Sequence, residues 1–175
     1  MQASTFHLLT IFPLAIGIAI LLAAAIHDVA ARTVPNWMAL ALALAGLLAR
    51  IADGTILPAL LAGPAVFLAA AFCWRRGWMG GGDVKLLGAV ATLVPPHAVF
   101  TLLAFIAFAG GGLAMLYLVG RAVAGKRKPV ATHRPAALAA RVLRAEVWRI
   151  RRGGPLPYAC AIAAGLLITL LRTGA

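Results

Sequence analysis

Four acidic side chains occur in the whole 175-residue chain: Asp28, Asp53, Asp83 and Glu146. Asp28 and Asp83 each border an apolar run, where an ionised group is expensive to keep unless it is paired or used. Two carboxylates on different helices can meet at one membrane depth. If they approach closely both cannot ionise, and they share a proton. One then acts as base toward a water while its protonated partner polarises a peptide carbonyl, which is the chemistry of an aspartic protease. Spacing alone also fits aspartates that cap helices or bind basic residues. Asp53 precedes Gly54 beside Arg50 and reads as a turn residue; Glu146 stands among arginines and reads as a surface ion pair.

The neighbours of the two aspartates narrow the chemistry. Asp83 lies in Met79-Gly80-Gly81-Gly82-Asp83-Val84-Lys85. Three glycines allow a sharp turn and the close approach of another chain. The G-x-x-x-x-G-K-[ST] pattern of a phosphate-cradling loop is missing. Asp28 is followed by Arg32 and by Val34-Pro35-Asn36, with Pro35 suited to the first turn of the next helix. Lys85 reads as a topology anchor, or as a cation near an aspartate or a lipid phosphate. Arg32 reads as a loop anchor and His27 as polar edge, while Trp37, Trp74 and Trp78 fit an interfacial aromatic belt.

The elements that must position these residues are membrane helices. Apolar residues make up 63% of the chain and charged residues 11%, against about 25% charged in a soluble domain. That excludes an ordinary soluble enzyme, a disordered chain and a collagen-like fibre. Cys73 and Cys160 both sit in apolar runs and form no C-x-x-C pair, so neither a disulfide scaffold nor a cysteine zinc site is expected. Crossing the hydrocarbon core takes roughly 20 apolar residues. Six segments are expected, at about 8–26, 37–51, 56–74, 84–94, 99–120 and 157–171, the second and fourth being short. The first has no basic n-region and is read as a mature span rather than a signal peptide. The fold class is therefore all-α and polytopic, with residues 1–175 forming a single membrane-embedded domain.

Charge sets the orientation. Of 16 basic residues, Arg32, Arg75, Arg76, Lys85 and the ten from Arg121 to Arg152 fall in alternate loops, leaving only Arg50 and Arg172 on the other side. The positive-inside rule then puts the N-terminus outside and both candidate aspartates at the cytoplasmic face. The net charge of +12 mostly encodes this topology. Nucleic acid is not an expected partner, because no aromatic residues interleave with the basic ones in a binding motif. Within the basic loop at about 121–155, Gly125-Lys126-Arg127-Lys128-Pro129 reads as a flexible turn. Residues 135–152 read as a basic amphipathic helix on an anionic leaflet, or as a solvated loop. Leu138, Ala139, Val142, Leu143, Val147 and Ile150 share its apolar face, which Glu146 and Arg149 interrupt.

On these residues the chain resembles the type IV prepilin peptidases, membrane aspartic proteases of the GxGD kind. Gly80-x-Gly82-Asp83 followed by Val84, Lys85, Leu86 and Leu87 matches one family motif. Asp28, Arg32, Val34, Pro35 and Asn36 match another, and Pro157-Tyr158-Ala159 resembles the Pro-Tyr/Phe-Gly segment of the last span, with Ala159 where glycine is usual. The resemblance implies that Asp28 and Asp83 are the catalytic pair. Gly80, Gly82, Lys85, Arg32, Pro35, Asn36, Pro157 and Tyr158 are then substrate-binding or supporting residues. The implied activity removes the short basic leader from prepilins or pseudopilins at the cytoplasmic face of the bacterial inner membrane. The other expected partners are anionic lipids and a pilus or secretion assembly. No metal or organic cofactor is implied. Lacking C-x-x-C pairs and beginning at its first span, the chain is similar to the short, peptidase-only branch that serves tight-adherence (Flp-type) pili, for which N-methylation is not expected. Two other classes fit the composition: a small proton-coupled transporter, which predicts internal repeats and acids at the midplane, and a non-catalytic assembly subunit, which predicts no cleavage.

Overall fold

A computed structural model describes residues 2–124, 138–152 and 154–173. The expected turn at 125–129 lies outside the described residues, as does the start of the helix expected at 135–152. Among the described residues every regular element is helical: α1 (Gln2–Ala31), α2 (Asn36–Ala52), α3 (Ile56–Arg75), α4 (Gly81–Leu93), α5 (Val99–Ala124), α6 (Leu138–Arg152) and α7 (Tyr158–Thr173). A short 3-10 turn, Pro96–Ala98, leads into α5.

Among the described residues three stretches are long and apolar enough to cross a membrane: Thr10–Ala31, Ile56–Arg75 and Pro96–Val123. The apolar helices α2 and α7 are shorter, at 17 and 16 residues, which gives each about 25 Å at 1.5 Å per residue. The exterior is that of a membrane protein. Leu57, Leu61 and Phe108 are each at least 74% exposed, and a water-facing surface would not carry so many large apolar groups.

The helix α4 is the exception. Nine of its 13 residues are buried, against three of 20 in α3, so α4 faces protein rather than lipid on nearly every side. It packs against α2, α3 and α7, and it separates α2 from α3 although a short turn joins them. Glycine makes this insertion possible. A Cβ on Gly46 of α2 would lie 2.8 Å from the Thr92 backbone, and one on Gly88 of α4 would lie 2.8 Å from Phe67 Cβ in α3. On the other flank α7 packs against α5 and α1.

The turns between helices differ from the expectation in an informative way. The sharp turn before α4 is made at Gly77, with φ +74°, and not by residues 80–82. Gly77 N–H donates to Trp74 O at 2.8 Å and Trp78 N–H to Cys73 O at 3.1 Å, the paired bonds of a glycine-terminated helix end. Gly81 and Gly82 are already helical; Gly80 precedes them in extended backbone, with φ −76° and ψ 146°. Pro35 likewise stands just outside α2 rather than in its first turn.

Candidate active site

Asp28 is in the last turn of α1 and Asp83 in the first turn of α4. The N-terminal turn is the one place in a helix where unpaired N–H groups and the macrodipole both favour a carboxylate. Asp28, at the wrong end of its own helix for that, uses another. Ala159 N–H, in the first turn of α7, points at Asp28 Oδ2 across 3.4 Å. Ala159 is fully buried and Asp28 is 7% exposed.

Both aspartates line one cavity of about 720 Å³. Its walls come from the α1–α2 turn, the α3–α4 turn, the start of α4 and residues 155–158. Neither carboxylate enters an ion pair among the described residues. Such a site can hold a water between two carboxylates that compete for a proton. No group of three or more His, Cys, Asp or Glu side chains is arranged to hold a metal among the described residues.

The remaining sequence-based candidates divide by position. Gly80, Gly82, Lys85, Arg32 and Tyr158 line the cavity, whereas Pro35, Asn36 and Pro157 do not. Asn36 is joined to the site through Lys85, whose Nζ donates to Asn36 Oδ1 at 2.6 Å. That bond ties the start of α2 to the start of α4, a structural duty beyond the anchor read from sequence. Gly82 leaves room for Val34, which a Cβ there would meet at 3.4 Å. The Tyr158 ring lies over Gly110, where a Cβ would come within 2.6 Å of Cε2. His27 Nδ1 donates to Thr33 O at 2.7 Å, which closes the chain after α1.

Beside the cavity is a polar cluster that the sequence reading missed. Glu146 is not a surface ion pair. Its side chain is 16% exposed and accepts from Arg32 Nη2, Tyr117 Oη and Arg149 Nη1. Arg32 also reaches Tyr117 Oη at 3.3 Å. Burial alone would raise the Glu146 carboxyl, but the hydrogen bonds from Tyr117, Arg32 and Arg149 outweigh it and hold the group below its ordinary value. The helix α6 accordingly packs against α5 and touches α1, where a helix lying free on the leaflet was one expectation. The signal was present in the sequence: Glu146 and Arg149 interrupt an apolar face, and charges on a buried face need partners.

A family model described as the type IV leader peptidase family matches residues 15–115, a stretch that includes both aspartates and ends before Glu146. Neither among curated proteins nor among solved structures was a match found.

Proposed function

The chain belongs to the type IV leader peptidase family, and from that premise we propose that it is an aspartic endopeptidase whose catalytic groups are Asp28 and Asp83. One observation carries the assignment: two carboxylates from different helices open into a single cavity with no basic partner in an ion pair. Elsewhere in the described chain the acids are paired, Asp53 with Arg50 and Glu146 with two arginines.

In the proposed reaction the two aspartates hold one proton between them. The ionised one takes a proton from water as the water oxygen adds to the scissile carbonyl carbon. The protonated one donates to the carbonyl oxygen. Collapse of the tetrahedral intermediate breaks the C–N bond: one of its hydroxyls returns its proton to the pair as the leaving amine takes one from it, so the pair ends with its single proton. The substrate lies extended along Gly80–Gly82, because a helix would keep the scissile carbonyl in its own hydrogen bonds.

The substrate is a prepilin or pseudopilin of the Flp type, cleaved between its basic leader and its apolar segment. Residues 1–175 act as one unit crossing the bacterial inner membrane six times, N-terminus outside, with the cavity at the cytoplasmic face. Support for this orientation comes from the 14 basic residues expected on that side against two on the other. Anionic lipid and a pilus or secretion assembly are its further partners. The chain cleaves without methylating.

The test is leader removal from a co-expressed Flp-type prepilin, read as a mass shift in membranes holding wild type, Asp28→Asn or Asp83→Asn. Wild type cleaves and both variants accumulate normally without cleaving. Normal cleavage by either variant would remove that residue from the mechanism.

A further inference from the structure

Three described residues take left-handed backbone angles: Gly54, Gly77 and Arg32. Each follows the end of a helix, where glycine is the usual occupant because a side chain is strained there. Gly54 and Gly77 have nothing within 4 Å of a built Cβ. Arg32, with φ 55°, takes this backbone directly after α1. A strained residue persists where its surroundings over-determine it, and the surroundings of Arg32 are the Glu146 cluster.

That cluster ends on the turn of α1 that carries Asp28. Arg32 N–H donates to Asp28 O at 2.8 Å. Arg149 donates from Nη1 to Val29 O at 2.7 Å and from Nη2 to Ala30 O at 3.3 Å. Asp28 O thus takes the ordinary i+4 bond from the Arg32 backbone, and the next two carbonyls, which the helix itself leaves unpaired, are held by the Arg149 side chain. The side chains of those two arginines meet only at Glu146, with Tyr117 closing the ring. Glu146 does not line the cavity.

We infer that Glu146 is a positioning residue: it gathers Arg32, Tyr117 and Arg149 into a clasp by which α6 fixes the end of α1, and so sets Asp28 against the start of α7. The inference rests on the reading of Asp28 as catalytic. It makes α6 a part of the active site that touches no substrate. Glu146 acts through the placement of one carboxylate, and a misplacement of about 1 Å is costly to a reaction that depends on orientation.

The test uses the full chain in membranes with Glu146→Gln, which keeps the shape and removes the charge, and Arg149→Met, which leaves Arg32, Tyr117 and Glu146 together. Against a leader-bearing prepilin each variant lowers kcat about tenfold with KM within about twofold, and the double variant loses little more than either single one. A second measurement needs no turnover. Carbodiimide coupling of an amine tag is followed by mass spectrometry at Asp28, with Asp53 as internal reference. Both variants shift the Asp28:Asp53 labelling ratio by at least about threefold. An unchanged ratio overturns the clasp, and so does a rise in KM with kcat intact, which would mean contact with substrate. Should Glu146→Gln fail to accumulate, Arg149→Met carries both measurements. Should wild type cleave no leader, the function assigned to the site falls, while the labelling ratio still decides whether Glu146 positions Asp28.

Discussion

The two ends of the helix bundle handle their acids in opposite ways. At the end formed by the α2–α3 turn, Asp53 is satisfied by residues three before and two after it. Its Oδ2 lies 2.7 Å from Arg50 Nη1, and its Oδ1 accepts from Thr55 N–H at 3.1 Å and Thr55 Oγ1 at 2.6 Å. Arg50 is 2% exposed, so the cation of this pair is buried in the bundle, while Asp53, its side chain 28% exposed, finds these partners within one turn. At the other end Asp28 and Asp83 are 55 positions apart in sequence, come from different helices and share a cavity without an ion pair. An acid satisfied by its own turn stabilises that turn. An acid brought beside another acid by tertiary packing is destabilising in itself, and its retention needs a chemical reason.

The largest effect should therefore separate the two ends. Asp28→Asn and Asp83→Asn each lower leader cleavage by on the order of 10²–10⁴-fold, the usual worth of acid–base groups. Asp53→Asn leaves the turnover number within about twofold and lowers thermal stability instead. Quantitative mass spectrometry of the cleaved product, with melting of the purified proteins in detergent, reads both. A tenfold loss of turnover in a stable Asp53→Asn would erase the contrast.

Next in size is the packing that brings the acids together. Since α4 reaches its place only where α2 carries no side chain, Gly46→Ala forces a Cβ to within 2.9 Å of the Leu93 backbone. Overpacking of this kind costs about 1–3 kcal/mol, and melting should drop by several degrees with cleavage reduced alongside. Gly112 has nothing within 4 Å, so Gly112→Ala in the middle of α5 is neutral or stabilising by up to about 1 kcal/mol. Equal melting temperatures for the two variants would mean that α4 is not wedged as described.

How much of this was legible depends on what each residue had to reveal. Helix positions followed from apolar length, so the segments expected at 56–74 and 99–120 lie within α3 and α5. The two aspartates were readable because acids are rare in this chain, and the glycine motif because three glycines in a row stand directly before one of them. Packing order was not. Residues facing lipid and residues facing protein are equally apolar, so no periodicity marks α4 as the central helix. The bond from Ala159 N–H to Asp28 was invisible for another reason: backbone donors carry no sequence signature. Glu146 was misread because its partners Arg32 and Tyr117 lie 114 and 29 positions away. The left-handed arginine was equally hidden, since the usual mark of that backbone is glycine, as at Gly54 and Gly77.

The smallest effect concerns acid and the clasp. The Glu146 carboxyl is held below its ordinary value of 4.5 by Tyr117, Arg32 and Arg149, against a burial effect that would raise it. A group depressed in the folded state contributes stability that is complete above its unfolded value and lost as pH falls through the folded one. Hydrogen exchange of the α6 amides, corrected for the intrinsic pH dependence, should therefore be flat from pH 8 to about 5 and rise only below about 4.5. Glu146→Gln should remove that acid dependence and leave α6 less protected at every pH. Partial solvent access and salt screening keep the change modest. Loosening of α6 already between pH 7 and 5.5 would assign its seat to a different group, and the contrast would then lie between two titrating ends rather than between one closed turn and one open cavity.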